Sequence, residues 1–274
     1  MKNILVYNDN SAAATHAAEF ALYIAQKMGA NIILANTFKK TRSPVEKVTA
    51  GNGDKNYYPP LEEATLNALL LRNLAIEYKT HVEIVDFGNT GTDLADFINK
   101  NNIWLTVKGN GNTATADCRV QPVNAHLILN KVQCPLLLVP ESWQIKTIEQ
   151  IAYIADLRYC RIHVVRFLAE LARPWRAFLS IAQLTAKGLP EMQENYARNI
   201  FNGEICPNVN YKRLLFDHIK EKDFATVVDV LVNGMHNDIL VLVNHHFHLE
   251  EILGPHSGDK LAGHIGIPLL IFPY

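Results

Sequence analysis

Short apolar runs, separated by stretches of helical periodicity, set the pattern of this chain. Ile4-Leu5-Val6-Tyr7, Ile32-Ile33-Leu34-Ala35 and Ile103-Trp104-Leu105-Thr106-Val107 are the kind of segment buried on both faces of a parallel sheet. Val82-Glu83-Ile84-Val85 reads as a further strand. Between the first two runs, Ala18, Ala21, Ala25 and Met28 recur at steps of three and four, which places them on one helix face. Asp9-Asn10-Ser11 supplies turn and N-cap chemistry for that helix, because short polar side chains accept from its orphan amides, and Gly29 closes it as a left-handed cap. A strand, a crossover of this length and a strand make a right-handed βαβ unit. Leu61–Lys79 predicts a helix with a stripe of Leu66, Leu69, Leu70 and Leu74, and Thr92–Lys100 a shorter one. A helix from about Val123 to Asn130 leads into Cys134-Pro135-Leu136-Leu137-Leu138-Val139-Pro140, an apolar strand closed by proline. Residues 39–60, broken by Gly51-Asn52-Gly53 and Pro59-Pro60, read as a polar surface excursion.

The second half repeats this order. Ile151-Ala152-Tyr153-Ile154-Ala155-Asp156 echoes Ile4 to Asp9, and Asn237–His245 echoes Asn102–Asn110. Ile267-Pro268-Leu269-Leu270-Ile271-Phe272-Pro273 echoes Cys134 to Pro140. The link at about Glu141–Gln150 is short, so the copies should pack on each other. The fold class expected is α/β, with two tandem doubly wound parallel-sheet domains of Rossmann-like type, at residues 1–142 and 148–274.

Composition narrows the field. A chain of 274 residues, 49% hydrophobic and 19% charged, has room for one large core or two ordinary ones. A net charge of −1 and the lack of a dense Lys/Arg run argue against nucleic acid or a membrane surface as partner. Cys118, Cys134, Cys160 and Cys206 are widely spaced, with no C-x-x-C, and read as reduced thiols. The N-terminus turns polar too soon for a secretory signal and no stretch is long enough to span a bilayer, so a cytoplasmic location is expected.

At the repeated elements the chain resembles the universal stress protein superfamily in its tandem form, over nearly its whole length. That resemblance implies an adenine nucleotide alpha hydrolase-like fold. The family opens on an apolar strand ending in V-D-G-S; here Asn8-Asp9-Asn10-Ser11 and Ala155-Asp156-Leu157-Arg158 stand in its place. Its ATP-binding members carry G-x-x-G, nine residues, then G-[ST], in which glycines let backbone amides approach phosphate and a hydroxyl at a helix N-terminus completes the anion site. The first half offers Lys108-Gly109-Asn110-Gly111, with Gly111 on a motif glycine, but Gln121-Pro122 at the distal position. The second half offers Val243-Asn244-His245-His246, without glycine, and His256-Ser257 at the distal spacing. The resemblance therefore implies degraded loops. Its site residues in the first half would be Asp9, Val107, Gly109, Gly111 and Asn112, with Asp156, Asn244 and Ser257 as weaker counterparts. Asp9 and Asp156 match the position that contacts base or ribose in binding members, or else they are turn aspartates that cap the following helix.

Other chemistry is less well supported. His245-His246-Phe247-His248, with His256 and His264, suggests a metal, but no helical H-x-x-x-H pair or nearby cysteine backs it, and no metal site is expected. A P-loop and a G-x-S-x-G elbow are absent. No catalytic residue is expected, and Trp104, Trp143 and Trp175 are assigned to packing. Two functions follow. One is a non-enzymatic stress-response or regulatory protein working through protein contacts, with Leu136–Val139 and Leu269–Phe272 able to pair across domains or in a homodimer. The other is an ATP binder or slow ATPase using the first half alone.

Overall fold

The computed structural model describes residues 1–37, 64–74, 79–87, 91–111, 125–186, 188–221, 223–244 and 265–273. The first half runs β1 (Asn3–Asn8), α1 (Ala12–Met28), β2 (Asn31–Asn36), α2 (Ala64–Leu74), β3 (Val82–Asp86), α3 (Gly91–Lys100), β4 (Ile103–Asn110), α4 (Ala125–Lys131) and β5 (Leu136–Pro140). The second runs β6 (Gln150–Ala155), α5 (Ile162–Ala172), β7 (Phe178–Gln183), α6 (Glu194–Ile200), α7 (Cys206–Val209), β8 (Leu214–His218), α8 (Phe224–Asp229), β9 (Ile239–Val243) and β10 (Leu269–Phe272). The helix starts as its sequence dictates: Ser11 Oγ accepts from Ala14 N at 3.0 Å, and Gly29 caps the end at φ 63°.

All ten strands form one sheet in the order β3-β2-β1-β4-β5-β10-β9-β6-β7-β8. Each half therefore has the same internal order, read outward from the centre. Every neighbouring pair is parallel except β5 and β10, which run antiparallel with Leu269 opposite Leu138 and Ile271 opposite Leu136. The apolar strands expected to pair across the halves do so. In this sheet β4 and β9 occupy their other sides.

Strand alternation explains why the runs are continuously apolar. Ile4 and Val6 join the core on one face of the sheet, and Leu5 and Tyr7 join the other. The same split divides Leu137 and Val139 from Leu136 and Leu138, and Ile239 and Val241 from Leu240 and Leu242. Each core draws on both halves, so the repeats share their interior. Cross-half contacts reinforce it: Trp104 stacks on Phe167 at 4.5 Å between centroids, Trp175 Nε1 donates to the Tyr23 hydroxyl at 3.0 Å, and Lys2 pairs with Glu170 at 2.7 Å. All three tryptophans pack against rings, Trp143 on Phe20 at 4.7 Å. The link between halves is held by buried Asp238, whose carboxylate accepts from the amides of Glu149 and Gln150 and pairs with Lys146 at 2.6 Å.

Two expectations change. The stripe on α2 is rotated: Leu69 is fully buried but Leu70 and Leu71 are exposed, because Thr65 turns inward to bond Asn8 and Thr15. β4 continues through Gly109 and Asn110, paired with Val139 and Pro140, where a loop from Lys108 was expected. Among the described residues, no helix is long and apolar enough to cross a membrane.

Candidate functional site

In an open α/β sheet, ligands bind beyond the carboxyl ends of the strands, near the point where the strand order reverses. In the first half that edge is formed by the ends of β1, β2, β3 and β4. Asn8, Asn36 and Asp86 lie in register there and bond in series: Asn8 Nδ2 donates to Asn36 Oδ1, and Asn36 Nδ2 donates to Asp86 Oδ1, each at 2.7 Å. Asn8 Oδ1 also accepts from Asn10 N at 3.0 Å and from the Thr65 hydroxyl at 3.3 Å. Asn10 takes up the left-handed conformation, φ 63°, which asparagine tolerates. Asp9 Oδ1 accepts from Ser11 N at 3.0 Å, so Asp9 stands as a turn aspartate ahead of α1.

The glycines of this edge answer to the backbone beside them. A Cβ on Gly109 would lie 2.2 Å from the Ala13 carbonyl oxygen, because the first turn of α1 crosses directly over β4. One on Gly111 would lie 2.4 Å from Glu141 Oε2. Neither glycine has positive φ, so the left-handed turn of an anion-binding nest is not present at either. Val107 is fully buried in the core, paired with Val6 and Leu137, so its side chain is removed from any ligand. Asn112 lies outside the described residues.

The corresponding edge of the second half is built differently. A 3₁₀ turn, Leu157–Tyr159, separates β6 from α5. Asp156 accepts four bonds: from the amides of Arg158 and Ala186 at 3.1 and 2.9 Å, and from Arg158 Nε and an Arg158 terminal nitrogen. Burial acts to raise this carboxyl, but the Arg158 guanidinium and the two amides outweigh it, and its pKa sits below the ordinary aspartate value. With its acceptor positions filled, Asp156 is a structural anchor. The Asn244 amide donates to Phe272 O at 2.7 Å, so a group expected in a ligand loop continues the pairing of β9 with β10. Gln183 Oε1 accepts from Leu157 N at 2.7 Å, while its buried Nε2 and the buried Nδ1 of His218 lack partners. Ser257 and the histidines from His245 to His264 lie outside the described residues.

Among the described residues, reactive groups are sparse at either edge. Burial pushes the Cys134 and Cys160 thiols up to about 12, which keeps them neutral and unreactive near neutral pH. Cys134, Cys160 and Cys206 are free. Among the described residues no three His, Cys, Asp or Glu side chains come together to hold a metal. Sequence reading overlooked Asn36, Asp86, Thr65, Arg158 and Gln183, although polar residues that end apolar runs were the available signal.

Residues 1–140 match the sequence profile of the universal stress protein family. The chain belongs to that family. The solved structures agree on the architecture of this universal stress protein. One of Archaeoglobus fulgidus DSM 4304 aligns with a TM-score of 0.60 at 11% identity, over 98% of this chain and 97% of the other. A protein of unknown function from Pseudomonas aeruginosa PAO1 gives a TM-score of 0.53 at 13% identity, over 99% and 92%. The cytoplasmic domain of a prokaryotic cation chloride cotransporter gives 0.52 at 10% identity, over 98% and 94%. These similarities establish the fold. No curated protein matches the chain in sequence.

Proposed function

We propose that this universal stress protein is a non-enzymatic, cytoplasmic regulatory protein of the tandem form. In this reading, residues 148–274 are a second, degenerate copy of the family domain at 1–142, and both phosphate loops have been given over to packing. The carrying observation is the Gly109 contact: the first turn of α1 lies against the position of a Cβ there, so helix packing by itself accounts for the glycine. The saturated carboxylate of Asp156 supports the same reading for the second half. The protein acts through surface contacts with protein partners, and the shared core makes it a built-in dimer.

Isothermal titration of the whole chain with Mg-ATP tests this. The expected result is no saturable heat at micromolar ATP. Micromolar binding with stoichiometry near two would overturn the proposal. Stoichiometry near one, abolished by Asp9→Ala and by Gly111→Val, would instead establish an ATP site in the first half alone.

A further inference from the structure

The antiparallel junction sets the amino ends of the first-half strands beside the carboxyl ends of the second-half strands. A cleft of about 850 Å³ opens along that seam, within the range of small-molecule sites. Lys2, Lys131, Arg161 and His163 line it, together with Trp104 and Phe272, and among the described residues no aspartate or glutamate does. Asp9, Val107, Gly109, Gly111, Asp156 and Asn244 do not line it.

Each cation is placed by the fold. The Lys2 ammonium lies 4.3 Å from the centre of the Trp104 ring and bonds Glu170 at 2.7 Å, so it is held at the wall at the expense of part of its charge. Arg161 is the N-cap of α5 and makes no side-chain cap bond, and His163 stands in that helix's first turn. The positive end of the 11-residue α5 therefore adds to the charge of Arg161. Lys131 enters from the end of α4, whose C-terminal carbonyls oppose it only weakly because α4 has 7 residues. Among the described lining residues every charged side chain is basic.

We infer that this seam is a binding site for a phosphate-bearing small molecule, up to the size of a nucleotide, held by Lys131 and Arg161 with Lys2 behind them. A planar guanidinium and an ammonium lining one cleft suit a polyvalent, tetrahedral anion better than a single carboxylate. Both halves supply the walls, so the ligand would act as a clasp across the repeat junction. The site is independent of the loops discussed above and does not depend on their state.

Isothermal titration of the full chain with pyrophosphate at low ionic strength tests the inference. One saturable site is expected, weakened about tenfold by Lys131→Ala combined with Arg161→Ala, the equivalent of one charge-assisted hydrogen bond. The exposed His163→Glu variant should weaken it as well, and near-UV circular dichroism checks that each variant is folded. Lys212→Ala with Arg213→Ala, exposed cations elsewhere on the second half, should leave affinity within twofold. No saturable binding, or equal weakening by the control pair, overturns the inference. Binding that survives Lys131→Ala/Arg161→Ala but is lost in Gly111→Val also overturns it, and places the anion at the first-half edge instead.

Discussion

The two carboxyl edges of the sheet share one strand order and meet their helices differently. In the first half α1 begins four residues after β1 and crosses β4 so closely that position 109 has room only for glycine. In the second, a 3₁₀ turn delays α5 until seven residues after β6, and the residue in the strand register of Gly109 is Val243. Where the helix starts later, the strand beneath it carries a side chain. The polar groups follow suit. The first edge closes its strand ends with a bonded series, Asn8 to Asn36 to Asp86. The corresponding register in the second is Ala155, Gln183 and His218, which leaves two buried nitrogens unpartnered. The two edges therefore close in different ways. A helix packed hard against the strand fills one edge, and a carboxylate–guanidinium clamp holds the other.

The sharpest way to break this comparison is at the glycine. Gly109→Ala should destabilise the chain by about 3 kcal/mol or more, or prevent folding, because the atoms it meets are backbone that cannot swing aside. Asn244→Gly should cost about 1 kcal/mol or less, since the bond its backbone makes to Phe272 survives. Denaturant unfolding reads both, and equal losses would show that the helix crossings do not differ as described.

The clamp comes next. The Asp156 carboxyl has its pKa depressed in the folded protein, so its contribution is fully present above the ordinary aspartate value, near 4, and is lost as pH falls through the folded value. Asp156→Asn should lower stability at neutral pH by about 2 kcal/mol and flatten the acid limb of the stability profile. Thermal melts between neutral pH and about pH 3 would show this, and an unchanged acid limb would mean that Arg158 holds nothing.

The smallest effect concerns the polar registers. Asn36→Ala removes the acceptor of the Asn8 amide and one donor to Asp86, at about 1–3 kcal/mol. Ser180→Ala, on β7, removes a buried hydroxyl that already lacks a partner and should be neutral within about 0.5 kcal/mol or slightly stabilising. A loss at Ser180 as large as at Asn36 would show that its hydroxyl is partnered in solution.

The fold was largely legible in the chain. Apolar runs such as Leu136–Val139 announce strands covered on both faces, and Ser11 and Gly29 mark their helix ends through local chemistry alone. Leu70 was misplaced because helical periodicity alone cannot fix a helix's rotation when one hydroxyl, that of Thr65, finds buried partners. The candidate site was less readable. Gly109 looks the same on paper whether a phosphate or a neighbouring helix demands it, and its closeness to Ala13 shows only in the fold. The bonds between Asp156 and Arg158, two residues on, left no sign in the sequence pattern, which does not show a folded-back guanidinium. The series through Asn8, Asn36 and Asp86 spans residues far apart in sequence that only strand register brings together.

The antiparallel seam between β5 and β10 has one more consequence. In a symmetric pair of identical subunits, every contact near the dyad must work twice, with each residue serving both sides. Here Lys2 faces Glu170 and Trp104 faces Phe167 once each, without a mirror copy of either demand. Covalent linkage thus frees the junction from self-complementarity: either face can change alone, and mutations that would disable both ends of a homodimer touch only one end of this molecule.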